Sequence, residues 1–267
     1  MVLEKLPVFF ISHGGGPWPY IPQMKKDFEK TAQWLSGIPK TLKQKPQAIL
    51  SISGHWEEKE FAVSAAEKPA MIYDYTGFPE VTYHIKYPAS GSSQLATRIQ
   101  DLLFQHKMSC QEDKNHGLDH GTFVPLVMMY PDAEIPVVSM SLKSTYNAAE
   151  HIQMGQALQV LREEGVLILG SGSSFHNMKK FFTPAAAPIS FEFGHWLQQT
   201  VTEKNFQLRN QKLIEWEKAP AAREAHPHED HLLPLMVVAG AAGEDLGETI
   251  FIDQVYRIEM ASFKFGK

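Results

Sequence analysis

The sequence predicts an α/β fold: a three-layer sandwich with a mostly parallel or mixed central sheet and helices on both faces. Three observations point there. Short runs of β-branched and aromatic residues, each bounded by Pro or Gly, read as strands buried on both faces. Longer segments with helical spacing lie between them, and strands alternating with helices make a sheet covered on two sides. The 267 residues, 43% of them apolar, contain no internal repeat and no obvious linker, so residues 1–267 are expected to form a single domain around one large core.

In chain order, Val8 to Ser12 is the first strand and Gln23 to Leu35 the first helix. Ala48 to Ser53 is a second strand, Ser92 to His106 a second helix, and Val137 to Leu142 a third strand. A helix over Ala148 to Glu164, a strand over Val166 to Leu169 and a helix over Phe191 to Asn205 follow. The charged, mixed stretch Phe206 to Glu224 reads as a helix leading into a loop before His226. In HEDHLLPLMVVAGAA a helix begins with Asp230 and His231 near its N-terminus and Leu232, Leu235 and Met236 turned to the core. Thr249 to Phe265 alternates as an antiparallel edge strand does, which would make the sheet mixed.

Composition removes several classes of function. A formal charge of −5, a pI near 6.2 and scattered Lys and Arg give no field for phosphates, so nucleic acid is not an expected partner. The apolar stretch in VLEKLPVFFIS is too short for a signal peptide, and no run approaches the roughly 20 apolar residues of a membrane helix. A cytoplasmic protein without membrane contact is expected, as a monomer or small homo-oligomer. The single cysteine, Cys110, excludes an intramolecular disulfide and leaves His, Asp and Glu to hold any metal.

Histidine is where the chemistry concentrates. FFISHGGGP, ILSISGHWE, GLDHGTF, LILGSGSSFHN and AHPHEDHLLPL place imidazoles where apolar runs or tight turns break into Gly, Ser or Pro. One such histidine is more often a structural hydrogen-bonder than a ligand, but their joint occurrence changes the balance. His13, His55 and His176 each follow a strand, and in open α/β sheets ligand sites form beyond the carboxyl ends of strands. Histidines gathered at that edge read as a site for Zn, Fe, Cu or Ni. HGGGP lacks the Lys-Ser/Thr ending of a phosphate loop and the spacing of a dinucleotide fingerprint, and SGSSF lacks G-x-S-x-G register, so a serine hydrolase ranks well below a metal enzyme.

The remaining histidines divide. His226 and His228, with Glu229, read first as a solvated turn, and His84, His106, His151 and His195 as surface or helix-face residues. His116 is ambiguous. Asp119 before His120 either orients that ring or caps a helix beginning at Gly121. The aromatic-rich YDYTGFPEVTYHIKYPASG fits a pocket wall for a flat substrate or a cover over core.

FFISHGGGP, SISGHW, YDYTGFPEVTYHIKYPASGS, GLDHGTFVPLVMMYPDAEIPVVSMSL, GSGSSFHN and HPHEDHLLPL together resemble, in order, the 4,5-DOPA extradiol dioxygenase family, a branch of the class III extradiol enzymes related to the protocatechuate 4,5-dioxygenase catalytic subunit. The resemblance implies one divalent ion per chain, Fe(2+) for ring cleavage with Zn(2+) often found at that position. It implies His13, His55 and His231 as metal residues, His176 as ligand or catalytic base, and His120 as an acid or substrate contact. The partners it implies are a catechol such as DOPA and O2, giving a ring-opened semialdehyde. One departure stands out: the family's usual Glu before the final His is Asp230 here, one methylene shorter. A carboxylate ligand there would complete the two-His-one-carboxylate set suited to iron(II), whereas an all-His centre would favour zinc. Two other readings stay open, a zinc hydrolase on the same histidines and a catalytically silent metal-binding relative.

Overall fold

The structure, a computed structural model, describes residues 4–267. Its strands are β1 (Val8–Ser12), β2 (Ala48–Glu58), β3 (Phe61–Ser64), β4 (Cys110–Asp113), β5 (Val137–Lys143), β6 (Val166–Gly172), β7 (Gly247–Val255) and β8 (Ile258–Phe265). They form one sheet in the order β4-β3-β5-β2-β6-β1-β8-β7. The four inner strands β5, β2, β6 and β1 run parallel, while β8 joins β1 and β3 joins β5 antiparallel, so the sheet is mixed. Between the strands lie α1 (Pro22–Asp27), α2 (Glu29–Thr41), α3 (Ser93–Gln105), α4 (His120–Met129), α5 (Ala148–Leu158), α6 (Ala186–Val201), α7 (Phe206–Ile214), α8 (Ala222–Ala225) and α9 (Leu233–Ala242).

Strand β6 shows why helices cover both faces. Successive residues point to opposite sides, and β6 ends in Gly170, Ser171, Gly172. The Ser171 hydroxyl donates to the Gly121 carbonyl of α4 on one face. On the other, a Cβ at Gly170 would stand 2.6 Å from the Pro234 carbonyl of α9, and one at Gly172 would collide with the His231 carbonyl. The two glycines let the start of α9 lie directly on the strand. Every residue of α9 is buried, which is why LPLMVVAGAA carries no polar stripe.

Most expected elements form. β1 has the expected limits, and α3 is capped at Ser92, whose hydroxyl accepts from the Leu95 N–H at 3.2 Å. Four differ. The helix expected over Gln23 to Leu35 is broken at Phe28 into α1 and α2. The expected edge strand over Thr249 to Phe265 is a hairpin, turned at Tyr256 and Arg257, which take φ of 53° and 67°. Neither turn residue is one that advertises a positive φ. β2 runs through His55 to Glu58, with a register shift between Ile52 and Glu57, so His55 sits within an irregular strand and not after it. The helix expected to carry Asp230 and His231 starts only at Leu233, and both precede it in a turn.

Candidate metal centre

Five histidines converge at the carboxyl edge of the parallel strands, each pinned by its backbone. His13 follows β1; its N–H donates to Gly172 at 3.0 Å and its carbonyl accepts the Trp18 indole N–H at 2.8 Å. His55 lies in the irregular stretch of β2, at the mouth of the sheet. His120 is the first residue of α4, and the helix is capped by Asp119, whose Oδ1 accepts from the Thr122 N–H at 3.0 Å and the Ser53 hydroxyl at 2.7 Å. The His176 N–H donates to Ala225 at 3.0 Å, and the His231 carbonyl accepts from the Ser173 N–H at 3.0 Å.

The rings then meet. His13 lies 5.1 Å from His55, 5.3 Å from His120 and 5.3 Å from His231, centroid to centroid. His176 stacks on His231 at 3.3 Å with 15° between planes. Ligand-type atoms fall into two groups within 4.8 Å, one of His13, His55 and His120, the other of His176, Asp230 and His231. The groups touch where His55 Nε2 and His231 Nε2 stand 3.2 Å apart.

Two carboxylates set the protons. Asp74 Oδ1 accepts the His120 Nδ1–H at 2.9 Å and the His120 backbone N–H at 3.0 Å, and its Oδ2 stands 3.1 Å from His55 Nδ1. Asp230 Oδ2 receives His231 Nδ1 at 2.6 Å. A carboxylate can only accept, so His120 and His231 each carry hydrogen on Nδ1 and present a bare Nε2 lone pair. The His231 lone pair faces His55 Nε2. His13, 3% exposed, has no hydrogen-bond partner on either ring nitrogen. Crowded imidazole nitrogens and an orphaned buried imidazole are costly in a dry site and fit a cation among them. Asp230 orients a ring with Oδ2, while its Oδ1 is buried without a partner.

Burial, followed by the neighbouring imidazoles, holds His13 and His231 well below the ordinary histidine range. Burial and His120 bring His55 down to about 3 against the pull of Asp74, and burial, His120 and His228 bring His176 to about 4. Imidazoles neutral at pH 7 are available as metal ligands or as bases. Asp230 moves the other way, pushed up to about 6 mainly by burial. Burial also opposes ionisation of Asp74, but the hydrogen bond and charges of His120 and the charge of His55 hold its carboxyl below the usual range.

Above the imidazoles opens a cavity of about 330 Å³. Tyr75 and Phe78 of the aromatic-rich segment form part of its wall, as the sequence suggested, and Met178, Phe181 and Phe182 form another part. Among the other histidines, His84, His106, His195 and His228 are exposed. His151 is not on the surface: it is fully buried, donating from Nδ1 to the Asn147 carbonyl at 2.7 Å and accepting the Lys143 N–H on Nε2 at 3.1 Å. His226 is likewise buried, not solvated, with Nε2 donating to the Ser174 carbonyl at 3.1 Å and so bracing the turn that carries His176. His116 stacks on Trp56 at 3.5 Å.

Sequence reasoning missed Asp74. Its signal was a lone acid inside YDYTGF, a segment read only for its rings. Asp119, placed next to His120 in sequence, caps the helix, and Asp74 orients the ring. In Asp74→Asn the negative charge beside His55 and His120 is lost, and only the carboxamide oxygen can still accept the His120 Nδ1–H. Metal affinity is expected to fall about 10–100-fold in a chelator competition, with the circular dichroism spectrum unchanged. Unaltered affinity would remove Asp74 from the site's support.

Neutral imidazoles clustered beneath an aromatic cavity are the equipment of a metalloenzyme acting on a flat molecule. Residues 7–262 match the family described as the catalytic LigB subunit of aromatic ring-opening dioxygenase. The 4,5-DOPA dioxygenase extradiol of Beta vulgaris is 42% identical, over 89% of this chain and 87% of that protein. The protein of that name from Escherichia coli is 32% identical over 90% and 87%, and the dioxygenase tasH of Hapsidospora irregularis 33% over 97% and 85%. The crystal structure of an uncharacterized E. coli K12 protein superposes with a TM-score of 0.79, at 28% identity and 98% and 100% coverage. The chain belongs to the LigB family and is an aromatic ring-opening dioxygenase, an oxidoreductase whose substrates are an aromatic ring and O2. Like its family it works with a metal.

Proposed function

We propose that the chain opens catechols by extradiol cleavage at one divalent ion held by His13, His55 and His231, with His176 as the base and His120 beside the substrate. The observation that carries this reading is the 3.2 Å approach of His55 Nε2 and His231 Nε2, with the orphaned His13 ring about 5 Å from both. Iron(II), when bound there, would supply the electron density and open positions that a catecholate and O2 need to react. Zinc fits the same three nitrogens, and with zinc and no substrate His176 is placed to make a ligand-like contact.

The chain's own residues then manage protons. His176, neutral and facing the cavity, takes a proton from a catechol hydroxyl. His120 begins as an acceptor at Nε2, because Asp74 holds its Nδ1 hydrogen. It becomes a proton donor only after taking one up, and the Asp74 carboxylate behind it stabilises that imidazolium. Asp230 keeps His231 in the acceptor tautomer, so the shortening from Glu is met by a role in orienting a ring. The product is a ring-opened semialdehyde, and DOPA, named for the beet relative, is the first catechol to try.

A single domain over residues 1–267 agrees with one sheet linking strands from both ends of the chain. The charge of −5 supports a protein without a nucleic-acid partner, and among the described residues no helix is long and apolar enough to cross a membrane. We place the protein in the cytoplasm, as a monomer or small homo-oligomer, on its single half-buried cysteine and acidic balance. Anaerobic protein reconstituted with Fe(II) is expected to consume O2 with a catechol and build up the visible absorbance of a semialdehyde. Stoichiometric iron with no O2 uptake on any catechol would sink the proposal.

A further inference from the structure

The cavity has a polar floor and an apolar wall. The histidines form the floor, and Met24, Phe28, Phe78, Met178, Phe181 and Phe182 are among the apolar residues of the rest. No Lys, Arg, Asp or Glu lines it among the described residues. Its other polar side chains are already committed to the protein: Tyr75 donates to the Thr82 carbonyl at 2.6 Å, Tyr256 to Asp27 at 3.0 Å and Ser173 to the Phe175 carbonyl at 2.7 Å. Only the Gly14–Gly16 backbone is left as a polar stretch of wall. At the mouth, Phe182 is 75% and Met178 60% exposed, large apolar side chains with nothing over them.

A catechol that reaches the histidines with its two oxygens turns its ring, and whatever the ring carries, toward that wall. A carboxylate or ammonium there would lose water and gain no counter-ion, which is expensive. An alkyl or aryl group would lose nothing and would cover Phe182 and Met178. Resting on the catechol reading above, we propose that the preferred substrates are catechols with an uncharged, apolar ring substituent, and that Phe78, Met178 and Phe182 set this preference.

The test compares 4-methylcatechol and 4-tert-butylcatechol with protocatechuate and L-DOPA on the Fe(II)-loaded protein. A kcat/KM advantage of at least about tenfold is expected for the alkylcatechols, the scale on which apolar pockets discriminate. Anaerobic calorimetry on zinc-loaded protein, which does not turn over, is expected to show the same order in Kd. Met178→Arg gives the wall a cation and is expected to move the protocatechuate to 4-methylcatechol ratio at least tenfold toward the acid. Protocatechuate or L-DOPA equalling or exceeding the alkylcatechols in both readouts would overturn the inference while leaving ring cleavage intact, and would assign their carboxylate to the Gly14–Gly16 turn. A ratio unmoved in Met178→Arg would remove Met178 from the selection. Cleavage of no catechol at all would overturn the function and this inference together.

Discussion

His55→Ala and His13→Ala are expected to purify without stoichiometric metal and without ring-opening activity. On the proposed ligand set each substitution removes one of three nitrogens, and two neutral imidazoles hold a divalent ion far less well than three. The informative comparison is His120→Ala. His120 shares a ligand-distance group with His13 and His55, while His231 makes the 3.2 Å contact with His55. If His231 is the third ligand, His120→Ala keeps its metal and loses turnover, and His231→Ala loses both. Elemental analysis of the four variants, each checked for an unchanged circular dichroism spectrum, decides between them. Full metal in His13→Ala or His55→Ala would end the assignment.

The second large effect is at His176. Its ring stacks on His231 without sharing a hydrogen bond with it, and it faces the cavity as one of the floor residues. His176→Ala is expected to keep metal and catechol binding while losing roughly 10²–10⁴-fold in kcat, the range for removal of a general base. Added imidazole, small enough for the space left behind, is expected to restore part of the rate. A parallel fall in metal content would make His176 a ligand, and unchanged turnover would leave it neither.

How far these residues could be read from the sequence follows from what each one needs. His13 and His176 were legible because a strand end is a local pattern, and parallel strands deliver their ends to one edge; His55 was placed at that edge although it lies inside β2. His231 was legible as a polar break before an apolar helix. Asp74 was not, because its role depends on a loop lying back over His55 and His120, the latter 46 residues away, and nothing near Asp74 encodes that. The burial of His151 and His226 was not legible for a related reason: whether a histidine on a helix or turn is buried depends on what packs over it. β3 and β4 escaped because each has only four residues, and β4, CQED, carries no apolar alternation. The hairpin of β7 and β8 lacked a glycine or asparagine at its turn, so two strands read as one.

The position of β1 in the sheet has a bearing on how the enzyme is made. The strand that leads to His13 is among the first elements synthesised, yet its two partners are β6 and β8, with Val8 opposite Ile168 on one side and Phe265 on the other. At about 5–20 residues per second, a ribosome needs on the order of tens of seconds to supply the second partner. Through that interval VFFIS is an apolar strand with both edges open, the kind of segment that chaperones hold and that aggregates when they do not. Completion of the sheet on both sides of β1 is therefore a late, long-range event.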